Sequence, residues 1–222
     1  MITASHFSKS YRKHEIIATS NFEIRGNKIT FLMGPNGSGK TTLIKCLMGM
    51  EMYNGTLLFD EKPIGQVHEE CLVLWDDCPF YQTLSGLSNL MIFGEGKRKK
   101  PEILERAQKY LDMDTLKKKV SLYSYGQKKK LSLVLVDLLS PTYLFMDEIS
   151  NGLDYETIRF LKDQVKDWSE RMTIFLTGHQ FDFYNDVIDD LLIFKENQII
   201  LSKLEFDRTS DNLGDIYAKE IN

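Results

Sequence analysis

An α/β fold with a mostly parallel core sheet, an N-terminal antiparallel β subdomain and an inserted helical subdomain is predicted by three features of the chain. A glycine-rich loop joins the apolar run Lys28–Met33 to the helical run Thr42–Met48. Apolar runs and helical stretches alternate from Lys128 to Thr177, the signature of a parallel sheet. Between these regions, from about Leu84 to Val120, the pattern is helical and charged.

Taken in order, Asn21-Phe22-Glu23-Ile24 and Ile29-Thr30-Phe31-Leu32 read as strands of a small sheet leading into the glycine loop. Gly55–Ile64 reads as a hairpin and Glu70–Trp75 as a buried strand of the core sheet. Pro101 marks a helix start at Pro101–Ala107, since proline fits a first turn where its missing N–H is not needed. A long helix follows over Lys128–Leu139, then a strand at Tyr143–Met146, a helix from Tyr155 to Arg171 and a strand at Met172–Thr177. Leu191–Phe194 and Gln198–Leu201 form a last strand pair.

The chain has 222 residues, 42% hydrophobic and 27% charged, with only five prolines, which suits one globular domain with a sizeable core. A net charge of −4 argues against nucleic acid as the main ligand. Cys46, Cys71 and Cys78 show no metal-ligand spacing and fit a reducing cytoplasm. The start Met1–His6 lacks the basic and apolar regions of a secretory signal, and no apolar run approaches the ~20 residues a bilayer needs. Membrane association is therefore expected through a partner. Lys97–Lys100, without interleaved aromatics, reads as a solvated loop.

Gly34-Pro35-Asn36-Gly37-Ser38-Gly39-Lys40-Thr41 matches the full phosphate-loop pattern G-x-x-x-x-G-K-[ST] between a strand and a helix, which implies a P-loop NTPase that binds a nucleoside triphosphate. Backbone N–H groups must wrap the phosphates, and glycines let the chain curl that closely. The helix opening at Lys40 adds unpaired N–H groups and the positive end of its dipole; Lys40 reaches the outer phosphates and the Thr41 hydroxyl suits Mg²⁺. Such a loop requires an acidic metal partner, and Asp147 and Glu148 close the apolar strand Tyr143–Met146. Asp147 then holds Mg²⁺, and Glu148 polarises the attacking water. His179 follows the next strand and emerges at the same carboxyl edge, where ligands of parallel sheets bind.

With these parts in this order, the chain resembles the ATP-binding cassette (ABC) ATPases over essentially its whole length. Tyr11 takes the place of the adenine-stacking aromatic, Tyr123-Ser124-Tyr125-Gly126-Gln127 that of the L-S-G-G-Q signature, and Ser150–Asp154 that of the dimer-contacting D-loop. The resemblance implies catalytic roles for Glu148 and His179 and a metal set of Thr41, Asp76 and Asp147. It implies a nucleotide-binding set of Tyr11, Gly34 through Thr42, Ser124, Gly126, Gln127 and Asp154. It also implies a single ABC ATPase domain over 1–222, in which 1–79 and 130–222 form the catalytic core with the β subdomain and 80–129 the helical subdomain. Members act as head-to-tail dimers, homodimers or heterodimers with a related subunit, in which Ser124 and Gly126 of one copy complete the ATP site of the other.

Two segments depart from the family pattern. Tyr123 and Tyr125 replace the signature leucine and first glycine, and Asp76, eight residues before Leu84, stands where the family has its Q-loop glutamine. Asp76 is read either as a metal ligand or as a solvated loop residue; Gln82 lies too late to replace that glutamine. The family reading gives an ATP- and Mg²⁺-dependent ATPase subunit at the cytoplasmic face of the cell membrane, partnered by separate membrane-spanning permease subunits. The segment Cys78–Leu90 is its docking surface, with Phe80 and Tyr81 as partner contacts or as lobe core. The short stretch after His179 favours an exporter or immunity-type system. A soluble ABC ATPase, or a nucleotide-gated module with little turnover, are the alternatives.

Overall fold

The computed structural model describes residues 1–221 except Pro79, with the Ser202 side chain also set aside, so the expected boundary at 79/80 and the terminal Asn222 fall on residues outside the described ones. β1 (Ile2–Tyr11) and β2 (His14–Ile24) interleave buried and exposed positions and pair antiparallel around Arg12, which holds a left-handed φ of 56°. β3 (Ile29–Met33) is buried at every position, as a strand covered on both faces must be. For that reason Ile29–Leu32 belongs to the large sheet between two parallel neighbours rather than to the small one as the sequence suggested.

α1 (Lys40–Leu47) leaves the glycine loop, and β4 (Asn54–Phe59) then pairs with β1 to complete a three-stranded antiparallel sheet in the order β2-β1-β4. The hairpin expected over Gly55–Ile64 stops after its turn. Phe59 and Lys62 exchange backbone hydrogen bonds of 2.7 and 2.9 Å, and Asp60 and Glu61 supply the left-handed φ values of 43° and 66° the tight turn needs. Pro63 then has no N–H to extend the ladder, and Ile64 begins the short α2 (Ile64–Val67).

β5 (Cys71–Leu74) opens the edge of a six-stranded sheet. A helical layer follows: α3 (Gly86–Phe93), capped by Ser85; α4 (Lys100–Gln108), with Pro101 in its first turn; and α5 (Met113–Lys117), capped by Asp112. Asn89, fully buried on α3, accepts from Tyr81 N–H at 2.8 Å and donates to the Tyr81 and Ser85 carbonyls, pinning the loop that leads in. α6 (Tyr125–Leu139) packs on α3, α4 and β5 and so joins this layer to the sheet. It starts at Tyr125, earlier than the run from Lys128 suggested, because Ser124 Oγ and the Gln127 side chain cap each other's backbone N–H groups.

β6 (Tyr143–Asp147), α7 (Tyr155–Ser169), β7 (Thr173–Thr177), the short α8 (Phe181–Asn185), β8 (Asp190–Lys195), β9 (Gln198–Lys203) and α9 (Leu213–Glu220) complete the chain. The large sheet runs β5-β6-β7-β3-β8-β9, parallel except for the β8-β9 edge pair. Alternation along β6 divides the core. Leu144 and Met146 join the apolar cluster with α6 and α7, while Tyr143 and Phe145 join the cluster with α1 and the small sheet. Asp137 on α6 accepts from Tyr110 Oη at 2.5 Å and Trp168 Nε1 at 2.9 Å, tying α6 to α7 and to the end of α4.

Leu144, fully buried in mid-strand, sets the stability of this arrangement. Leu144→Ala is expected to cost about 3 kcal/mol through lost transfer energy and the cavity left behind, seen as a lower urea midpoint with unchanged slope. Burial pushes the Cys46 thiol up to about 11 and the Cys71 thiol up to about 12, against an ordinary value of 9.0. Both stay protonated in the fold at a pH where the unfolded chain has released its protons, so their contribution is intact below about pH 9 and falls as pH rises from 9 through about 11 for Cys46 and about 12 for Cys71. Replacing both with alanine is expected to flatten that alkaline limb in denaturation curves recorded from pH 8 to 11.

Candidate functional site

The loop Gly34–Gly39 bends where side chains would not fit. Gly39 has φ of 113°, and a Cβ there would lie 2.9 Å from Ile16 Cγ2; at Gly34 it would lie 2.7 Å from Phe194 Cβ. Within this curl the Lys40 ammonium is 5% exposed and donates to the Gly34 and Pro35 carbonyls at 2.8 and 2.9 Å. Burial pulls its pKa down, with Glu148 and Asp147 opposing, so an anion delivered to this loop would relieve a desolvated cation. Ser38 Oγ, in the same loop, is buried without a protein partner and is a spare donor there.

Register brings the acidic groups to this loop. Asp147 and Thr177 are paired at the carboxyl ends of the adjacent strands β6 and β7. Asp147, 6% exposed, accepts from Thr177 Oγ1 at 2.5 Å through one oxygen and from Thr41 Oγ1 at 2.7 Å through the other. A hydroxyl and a carboxylate oxygen this close suit Mg²⁺, which takes few protein ligands and fills its sphere with water and phosphate oxygens. Among the described residues, no group of three or more His, Cys, Asp or Glu is arranged to hold a metal.

Glu148 departs from the strand with a left-handed φ of 53°. Asn151 Nδ2 holds Glu148 Oε2 at 2.6 Å, and His179 Nε2 lies 3.3 Å from Oε1 yet makes no hydrogen bond that satisfies it. Behind His179, Tyr184 Oη donates to the Thr177 carbonyl at 2.8 Å and lies 3.1 Å from Ser150 Oγ, joining the strand before His179 to the loop after Glu148. Burial pushes that phenol far above its ordinary range, so it remains protonated and a hydrogen-bond donor.

A cavity of about 210 Å³ is lined by Ile16, Asn36, Gly37, Gly39 through Thr42, and Glu148. It falls below the roughly 300–1,000 Å³ of ordinary ligand pockets. The remaining predicted residues stand outside its lining. Tyr11, half-exposed at the end of β1, carries the Lys9 ammonium 4.2 Å from its ring centre. Asp154 caps α7 by accepting from Thr157 N–H at 2.7 Å, a contact that holds its carboxyl below the usual range. Ser124 and Gln127 cap α6, with Gly126 in its first turn.

Asp76 follows β5, and its Oδ1 accepts from Tyr125 Oη at 2.5 Å and from Lys129 Nζ at 3.1 Å. Burial raises its pKa, but these two donors outweigh that and leave it below the ordinary value. Gln82 folds back on the Phe80 carbonyl. Phe80 is buried against Phe93 whereas Tyr81 is exposed, so the pair divides between core and surface.

Thr177, Asn151, Tyr184 and Lys129 were not singled out from the sequence. Thr177 left one trace, a polar residue ending an apolar strand two residues before His179. Lys129 left another, a charge placed four residues before Leu133 on the buried face of α6.

The family profile described as ABC transporter matches residues 17–151. The chain is 30% identical to the lantibiotic transport ATP-binding protein SrtF of Streptococcus pyogenes, across 100% of this chain and 97% of that one. It is 27% identical to the L-cystine import ATP-binding protein TcyC of Bacillus subtilis, across 90% and 89%. An ATP-binding subunit of an ABC transporter superposes with a TM-score of 0.86 at 18% identity, covering 99% of this chain and 98% of its own. A dimeric bacterial ABC transporter cassette superposes at 0.82 with 16% identity, covering 92% and 98%.

Thr177→Val keeps the shape of the buried strand end and removes the hydroxyl that orients Asp147. It is expected to raise the Mg²⁺ concentration for half-maximal ATP turnover by about tenfold, with ATP binding in the absence of metal unchanged, as metal titrations of the two proteins would report.

Proposed function

The chain belongs to the ABC transporter family of ATP-binding subunits and is an ATPase, and from that premise we propose that it energises export or an immunity-type transport system through an ATP-dependent, head-to-tail dimer. One observation carries the ATPase chemistry. Lys40, Thr41, Asp147, Glu148 and His179 converge at the carboxyl edge of the parallel sheet. As the subunit of a transporter it works with membrane-spanning permeases, and none of its own described helices is long and apolar enough to cross a membrane.

In the proposed reaction the loop from Gly34 to Thr42 binds the triphosphate, with Lys40 turning its ammonium from loop carbonyls to phosphate oxygens. Thr41 and Asp147 would hold Mg²⁺, which would supply positive charge against the phosphates. Glu148 takes a proton from the attacking water at the carboxylate oxygen next to His179, and Asn151 fixes the other oxygen. His179 Nε2, unsatisfied in this structure, turns to the γ-phosphate. Tyr11 stacks on adenine with the face opposite Lys9.

The small volume beside the loop supports completion of the site by a second copy, whose Ser124, Gly126 and Gln127 present a helix N-terminus to the phosphates. Asp154 immediately precedes Tyr155, which is 81% exposed and lines a cavity of about 660 Å³ together with His179 and Phe181, a surface suited to such an interface. Residues 1–79 and 130–222 then act as the catalytic core, with 80–129 as a helical lobe that meets the permease through Tyr81. Export is favoured by the lantibiotic-transport relative that matches end to end, while the import relative names the opposite direction as the competing outcome.

Glu148→Gln removes the base and keeps the contact to Asn151. It is expected to lower ATP turnover at least 100-fold and to accumulate an ATP-bound dimer by sedimentation. Affinity purification of this variant from detergent-solubilised membranes of the native host is expected to recover a stoichiometric partner with several membrane spans. Recovery of soluble partners alone would move the protein to a cytosolic ABC ATPase, and dimerisation without wild-type phosphate release above this variant would make it a nucleotide-gated module.

A further inference from the structure

Three segments that are far apart in sequence meet at Tyr125: the loop after β5, the start of α6 and the loop before α7. Lys129 sits on the buried face of α6 with none of its side chain exposed. A buried ammonium is costly unless paired and hydrogen-bonded, and here its counter-charge comes from a side chain that is half exposed, Asp76, with the Trp75 carbonyl at 3.5 Å as a further acceptor. The same Asp76 oxygen accepts the Tyr125 hydroxyl, and the Lys129 ammonium lies 5.3 Å from the Tyr125 ring centre. The opposite requirement is met at Gly152. Its φ is 67°, and a Cβ there would fall 2.7 Å from Tyr125 Cε1, so the ring rests on bare backbone.

We propose that Asp76, Tyr125, Lys129 and Gly152 form an intramolecular bolt that positions Ser124 and Gly126, and that Tyr125 and Lys129 are positioning residues for the ATPase reaction. The two departures from the family pattern thereby become one device. A glutamine at 76 would bring no negative charge to the buried Lys129, and a glycine at 125 would supply neither the ring over Gly152 nor the hydroxyl on Asp76. The Asp76 oxygen is committed to two donors, which makes its role that of an anchor between sheet and helix rather than a metal ligand. Because Ser124 lies immediately before Tyr125 and Gly126 immediately after, any rotation of this helix start moves both. The proposal rests on the reading that Ser124 and Gly126 complete the ATP site of a second copy.

Tyr125→Phe keeps the ring on Gly152 and removes only the hydroxyl, so it tests the bolt in a folded protein. The expected result is a kcat about tenfold lower, as for loss of a hydrogen bond to a charged group, with KM for ATP and the half-saturating Mg²⁺ concentration within twofold of wild type. Amide hydrogen exchange of the monomer should quicken over residues 121–128 and 150–154. Asp76→Asn, which also strips the buried Lys129 of its counter-charge, should quicken the same segments at least as much, and the double variant should be little worse than Asp76→Asn alone, since the Tyr125 hydroxyl acts through the same carboxylate. Unchanged exchange in Tyr125→Phe, additive losses in the double variant, or an Asp76→Asn protein that needs more Mg²⁺ while Tyr125→Phe does not, would each overturn the proposal. If the Glu148→Gln parent fails to dimerise with ATP, the second-copy reading falls, and the monomer exchange data still decide whether the bolt exists.

Discussion

The carboxylate of Asp147, clasped between the hydroxyls of Thr41 and Thr177, is the contact on which the site depends. It ties the phosphate loop to two neighbouring strands with two hydrogen bonds, and a buried carboxylate without them would be costly enough to neutralise or to distort its surroundings. Its position follows from the sheet. Parallel strands end together, so the residues that close β6 and β7 and the loop that leaves β3 are delivered to one edge without any long-range search for partners.

Rigidity around that contact is unevenly distributed. The sheet is covered on both faces by separate apolar clusters, so β3, β6 and β7 have little freedom to move. The segments proposed to respond to nucleotide are held by polar contacts instead: Glu148 by Asn151, the strand end before His179 by the Tyr184 hydroxyl on the Thr177 carbonyl, and the start of α6 by its own capping box and by Asp76. Polar contacts of this kind can be exchanged for contacts to a phosphate or a second subunit at low net cost, whereas a buried leucine has no equivalent alternative.

Charge follows the same division. Lys40 and Lys129 are both buried ammonium groups, and their neighbours differ in kind. Lys40 is satisfied only by neutral carbonyls, with Asp147 and Glu148 nearby but not bonded to it, and is therefore open to an incoming anion. Lys129 is bonded directly to a carboxylate and has no such vacancy. Burial alone does not separate a ligand-binding lysine from a structural one; the charge of the groups bonded to it does.

By itself the sequence determined the phosphate loop, the apolar strand ending in Asp147 and Glu148, the histidine after the next strand and the alternation that makes a parallel sheet, because each is written in contiguous residues whose chemistry is local. Strands buried on both faces were legible as apolar runs, but not which sheet they join: Ile29–Leu32 and the arm after Gly55 were misplaced, since pairing partners lie far along the chain and Pro63 acts only once a turn is formed. Only the tertiary structure decided that Thr177 shares Asp147, that Tyr184 props the loop before His179, and that Asp76 faces Tyr125 and Lys129. These are contacts across 30 residues or more in the first case and about 50 in the last, and no periodicity within one segment encodes them.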